Sequence, residues 1–149
     1  MAIPELDEHG LLPTGVHDAS LEEVRERFGQ FHGSDPGAFS FFAVLEKFAA
    51  DTKSAALVQA MIVNGSFTTD KVRPSDIDLI LVLREHIDLS RDLLPRQYNL
   101  VSPKQVKARH GFDVLYATDS PESLDPLVEF FSQVRGQPEL RKGMVRVTL

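Results

Sequence analysis

The chain has 149 residues, 42% hydrophobic and 26% charged, which is the size and balance of one globular domain with room for a core. A formal charge of −6 excludes strong non-specific nucleic-acid binding, which depends on neutralising phosphates. The absence of cysteine excludes disulfides, thiolate metal sites and cysteine nucleophiles, and it suits a reducing cytoplasm.

No apolar run is long enough to span a bilayer, so no membrane partner is expected, and the opening MAIPELDEHG is too acidic for a secretory leader. Residues 1–19 are rich in Pro and Gly and read as an extended arm, pinned by Leu11, Leu12 and Val16. Ser20 and Glu23 form an S-x-x-E capping box, and Leu21, Val24 and Phe28 follow at helical spacing, which predicts a helix over 21–28. HGSDPG reads as a turn. A second helix then carries Phe41, Leu45 and Phe48 on one face, with Phe42 and Ala49 beside them. ALVQAMIVNG reads as a strand ending at Gly65, SFTTDKVRPS as a polar loop, and DIDLILVL as a strand buried on both faces after its aspartates. REHIDLSRDLLPRQYN fits either a short strand or a loop. Ser102, Pro103 and Gln105 announce a short helix that stops at Gly111. FDVLYA is a third strand and carries Asp113. Ser120 and Pro121 open a last helix whose Leu124, Leu127, Phe131 and Val134 face inward, and GMVRVTL reads as a closing edge strand. This alternation predicts a single domain over 1–149 of α/β (α+β) class, a mixed sheet flanked by helices.

Asp76 and Asp78 interrupt that pattern. Residues two apart on a strand point to one face, so both carboxylates emerge together. Aspartate is depleted in strands, and two neighbouring like charges disfavour each other's ionisation. A hard divalent cation such as Mg²⁺ removes the conflict and leaves coordination positions for substrate phosphates. Phosphoryl and nucleotidyl transfer use such sites. Alone, a D-x-D pair reads equally well as a solvated strand cap. Upstream, Gly65 lets backbone N–H groups come close to a phosphate, and Ser66 offers a hydroxyl, although Gly-Ser alone is a common turn.

Taken together, Val63-Asn64-Gly65-Ser66, the nine-residue spacer FTTDKVRPS and Asp76-Ile77-Asp78-Leu79 resemble the signature of the nucleotidyltransferase superfamily related to DNA polymerase beta. That signature has an apolar residue before its glycine, where this chain has Asn64. The resemblance implies a nucleotidyltransferase-like mixed sheet, with Asp113 as the third catalytic carboxylate. It makes Asp76, Asp78 and Asp113 ligands of Mg²⁺ or Mn²⁺. It also makes Gly65 and Ser66 the cradle of a nucleoside triphosphate, and a protein or RNA hydroxyl the acceptor of the NMP. The chain as a whole resembles short bacterial proteins of this class, some of which occur in toxin–antitoxin pairs, which implies a cognate protein partner. Many minimal members continue as G-S-x-A-R. Here Phe67-Thr68-Thr69 follows instead, and Lys71 and Arg73 are the loop cations that would serve the phosphates or stand solvated. The missing arginine keeps a second function open, that of a catalytically inactive, antitoxin-like binding module. A D-x-D glycosyltransferase ranks below both, because such domains are usually much longer.

The five histidines show no zinc spacing, and His110 reads as a helix-end residue. Arg91, Arg96, Lys104, Lys107 and Arg109 read as a solvated basic face.

Overall fold

The computed structural model describes residues 3–29, 37–69, 77–85, 87 and 93–149. Among these residues no helix is long and apolar enough to cross a membrane. The elements run β1 (Val16–Ala19), α1 (Leu21–Phe28), α2 (Gly37–Ser54), β2 (Val58–Asn64), β3 (Asp78–Leu83), α3 (Pro95–Val101), α4 (Pro103–His110), β4 (Asp113–Ala117), α5 (Pro121–Ser132) and β5 (Met144–Thr148). The strands form one mixed sheet in the order β1-β5-β2-β3-β4. β1 runs parallel to β5 and β3 parallel to β4, while β2 is antiparallel to both its neighbours.

The local signals build the expected helices. The Ser20 hydroxyl accepts the Glu23 N–H at 3.1 Å, and the Glu23 carboxylate accepts the Ser20 N–H at 3.2 Å, which closes the capping box of α1. Ser102 caps α4 with Pro103 in its first turn, and Gly111 ends it in the left-handed region. α3 takes up the end of the ambiguous segment, from Pro95 on, while residues 86 and 88–92 lie outside the described residues. The N-terminus of α3 lacks a capping hydroxyl, and the Gln97 side chain takes the Leu94 N–H instead, at 3.0 Å.

Period-2 alternation sorts the strand residues onto two faces. One face presents Met61, Val63, Leu79, Leu81, Val114, Val145 and Val147 to helices α1–α4, where Phe28, Leu45, Phe48 and Val106 are buried. The other presents Ala60, Ile62, Ile80, Val82, Ala117 and Met144 to Leu124, Leu127, Val128 and Phe131 of α5. The result is a helix–sheet–helix sandwich with two cores. Phe42 and Ala49 of α2 are buried as expected. The side chain of Phe41 lies outside what is described.

Two expectations are corrected. GMVRVTL is not an edge strand, because β5 lies between β1 and β2. Val16, expected to pin the arm, is 38% exposed. It belongs to β1, which lies inside the segment read as an arm and pairs with β5 from Val16↔Met144 to Ala19↔Val147. The rest of the arm is held by Ile3 and Leu12, both buried, and by the Arg27 guanidinium, which donates to the carbonyls of Ile3 and Pro4 at 2.7 and 2.8 Å. At its far end the Gly143 N–H donates to the Leu12 carbonyl at 2.9 Å.

The contact at Gly143 leaves no room. A Cβ there would lie 1.9 Å from the Pro13 carbonyl oxygen and 2.9 Å from that of Gly15. Gly143→Ala is expected to lower stability by about 1–3 kcal/mol, roughly 2–10 °C in Tm, and to speed proteolysis of the arm. An unchanged melting curve would mean that the arm does not rest on Gly143. The His110 ring stacks on Phe112 at 6.0 Å and meets Phe48 at a tilt, 5.2 Å away, and burial there lowers its pKa from the usual 6.5. Nearby Asp51 opposes that shift, whereas Arg109 and Lys47 add to it. The folded chain holds the ring neutral where the unfolded chain protonates it. This contribution is therefore complete above pH 6.5 and is lost as pH falls below it. Thermal melts across pH 7.5–5 should show a shallower acid-side decline in His110→Gln than in the wild type.

Candidate functional site

Three strands place three polar side chains in one row. Asn64, the last residue of β2, pairs with Asp78, the first of β3, and Asp78 pairs with Asp113, the first of β4. Residues in register on neighbouring strands share a face, spaced by about 4.8 Å per strand. On β2, β3 and β4 the preceding rows of that face are apolar, Ile62, Ile80 and Leu115, then Ala60, Val82 and Ala117, and β5 adds Arg146 and Thr148 to them. α5 covers those rows and ends at Ser132, where the polar row begins.

Beyond the end of α5 a cleft of about 1040 Å³ opens. Its floor carries Asn64, Ser66, Thr69, Asp78 and Asp113, so two residues of the sequence motif and the predicted third carboxylate do meet. Gly65 sits between Asn64 and Ser66 at φ 94°, ψ −172°, a backbone region essentially restricted to glycine. From there the chain makes a single 3-10 turn, Ser66–Thr68, closed by the Thr68 hydroxyl donating to the Gly65 carbonyl at 3.3 Å. The Thr69 hydroxyl returns to the Ser66 carbonyl at 2.6 Å. Phe67 takes the open x position of G-S-x-A-R, and Thr68 and Thr69 stand where that motif has Ala and Arg. Phe67 is buried and packs against Phe28 with ring centres 6.1 Å apart, so it anchors the loop to the core.

Asp76, Lys71 and Arg73 lie outside the described residues, as does Arg91, and so does the side chain of Arg96. Among the described residues no group of three or more His, Asp or Glu side chains is gathered in a metal-like cluster. Asp113 is more than half exposed, and its Oδ2 accepts from the Lys107 ammonium at 3.1 Å. Lys107 thus has a definite partner on its basic face. An exposed pair of this kind contributes about 0–1 kcal/mol, so it yields readily to a stronger ligand.

Asn64, where the motif has an apolar residue, has a structural use. Its Nδ2 donates to the Phe131 carbonyl at 2.9 Å and so satisfies one of the orphan carbonyls at the end of α5. Its Oδ1 is buried and finds no hydrogen-bond partner among the described residues. Sequence reasoning also passed over the opposite wall. Phe130, Phe131, Val134, Arg135, Arg141 and Lys142 line it, from the end of α5 and the loop that leads to β5. Val134, expected on the inner face of the last helix, lies just past the helix end. Nothing local in VRGQPELRKG marks these cations as facing Gly65-Ser66, which is far away along the chain.

A family model matches residues 4–148. The chain belongs to that family, described as "Family of unknown function (DUF6932)". No curated protein and no solved structure matches it. The DUF6932 match takes in the arm, all five strands and both walls of the cleft, so arm and cleft belong to one family unit.

The environment of Asn64 gives a test of stability. Asn64→Leu leaves the Phe131 carbonyl without its donor and also removes an unpaired buried acceptor, two changes of about 1–3 kcal/mol each and of opposite sign. Its Tm is expected to stay level. A fall of more than a few degrees would show that Oδ1 is satisfied in the free protein.

Proposed function

We propose that this protein is a metal-dependent nucleotidyltransferase that moves an NMP from a nucleoside triphosphate to a hydroxyl of a protein or RNA acceptor. The in-register row Asn64–Asp78–Asp113, lining one cleft together with Ser66, carries this reading. The donors suit a hard cation. Asp78 and Asp113 supply carboxylate oxygens, and Asn64 Oδ1, unpartnered among the described residues, supplies an amide oxygen of the kind that Mg²⁺ or Mn²⁺ accepts. Asp76, two residues before Asp78, belongs to the same proposed set. When bound, a divalent cation neutralises phosphate oxygens and lowers the pKa of the attacking hydroxyl.

In this scheme the Ser66 hydroxyl, on the turn that Gly65 allows, holds the terminal phosphates. Asp113 orients the acceptor hydroxyl and takes its proton. The acceptor oxygen bonds to the α-phosphorus, the bond from that phosphorus to the bridging oxygen breaks, and pyrophosphate leaves. Lys71 and Arg73 remain proposed phosphate ligands. The setting proposed is bacterial and cytoplasmic, within a toxin–antitoxin pair.

The Lys107–Asp113 ion pair favours a second reading, a catalytically inactive binding or antitoxin-like module whose third carboxylate is already occupied.

The test is calorimetry of ATP, GTP, CTP and UTP binding with and without Mg²⁺. Wild type is expected to bind at least one of them in a Mg²⁺-dependent manner. Asp78→Asn and Asp76→Asn/Asp78→Asn should weaken that binding at least tenfold, about 1.4 kcal/mol or more. Equal affinity in the variants would remove the carboxylates from the site. Mg²⁺-dependent binding with no NMP transfer, alongside a co-purifying protein, would select the binding module.

A further inference from the structure

The wall opposite the carboxylates has a composition of its own. α5 buries Leu124, Leu127, Val128 and Phe131 against the sheet, yet the neighbouring Phe130 is 61% exposed and lines the cleft. Its ring is held edge-to-face against Phe131, with centres 5.2 Å apart and planes at 76°. An exposed apolar residue standing alone needs no explanation, but this one lines a cleft of mixed polarity together with a cluster of cations.

Those cations belong to a stapled loop. Gln133 and Arg141 form an antiparallel bridge, and the Lys142 N–H donates to the Ser132 carbonyl at 2.9 Å, which closes its base. Two turns shape the rest. The Gln137 N–H donates to the Val134 carbonyl at 3.1 Å, and the Leu140 N–H to that of Gln137 at 3.0 Å. Gly136 supplies the positive φ of 79° that the first turn requires at its third position. Arg141 Nη1 donates to the carbonyls of Pro138 and Leu140, at 3.0 and 3.1 Å, so its guanidinium is already oriented. In a chain of net charge −6, residues 134–142 hold Arg135, Arg141 and Lys142 against the single acid Glu139. A concentration of positive charge against the overall balance, in a preorganised loop at a cleft mouth, fits a polyanion.

We infer that the end of α5 and the loop after it form the recognition wall of the cleft, where Phe130 stacks on the base of a nucleoside polyphosphate and Arg135 and Arg141 hold its phosphates. This rests on the nucleotidyl-transfer reading for its ligand class and adds which residues select that ligand. Phosphates alone engage only the cations, whereas a nucleotide engages the ring as well. The two halves therefore separate experimentally.

The experiment measures Kd for ATP and for inorganic tripolyphosphate, with Mg²⁺, on the full chain and on four variants. Phe130→Ala should weaken ATP about tenfold or more, as expected for a lost base–aromatic stack, and leave tripolyphosphate within about twofold. Phe130→Trp should retain ATP. Arg135→Ala/Arg141→Ala should weaken both ligands at least tenfold. Phe130 and both arginines are exposed, so matched melting curves verify the fold. Unchanged ATP affinity in Phe130→Ala, or equal loss of both ligands, overturns the stacking assignment. Unchanged tripolyphosphate affinity in the double arginine variant overturns the phosphate assignment. Asp78→Asn reports separately on the carboxylate reading. If it binds and transfers like wild type while Phe130→Ala loses ATP, that reading fails and the recognition wall stands.

Discussion

Strand register in the centre of the sheet is the constraint on which the rest depends. A slip of one residue between β2 and β3 would turn every side chain of β3 to the opposite face. Asp78 would then point into the layer of Phe28, Phe48 and Val106, and Leu79 would open onto the cleft. Both cores oppose that slip, because Leu79 and Leu81 are buried in one and Ile80 and Val82 in the other. Each such side chain contributes about 1.5–3 kcal/mol of burial. The hydrophobic pattern thereby holds two carboxylates in a row that they would not adopt by themselves.

The length of α5 decides where the cleft lies. The helix covers the apolar rows of its face and ends over Asn64, whose amide takes a carbonyl the last turn leaves open. The chain then doubles back through the stapled loop and enters β5 at Gly143, against the carbonyls of Pro13 and Gly15. The arm therefore supports the loop from below, and its Leu11 reaches the cleft lining. A family match that begins at residue 4 agrees with an arm that is part of the structure.

Much of this was legible, and the parts that were share one property. Ser20 with Glu23, Ser102 with Pro103, and Gly111 act within a turn of their own position, so sequence spacing was enough to place α1 and α4. Asp113 was legible as a strand-start carboxylate because Phe112 and Val114 flank it in alternation. α3 was not, since a glutamine replaces the usual capping hydroxyl. β1 was missed because Val16–Ala19 is short and no residue of it is fully buried, which leaves no apolar signal.

The sequence by itself determined which residues alternate, where α1 and α4 start and stop, and that Gly65-Ser66 and Asp113 stand at strand ends. These are consequences of local sterics, capping and the period of burial. Only the tertiary structure decided that β5 lies inside the sheet and that Asn64, Asp78 and Asp113 form one row. It alone brought Phe130, Arg135 and Arg141 across the cleft from them. Strand order and the facing of one loop by another depend on pairing between distant segments. No local pattern encodes that pairing, because many partners satisfy the same alternation equally well.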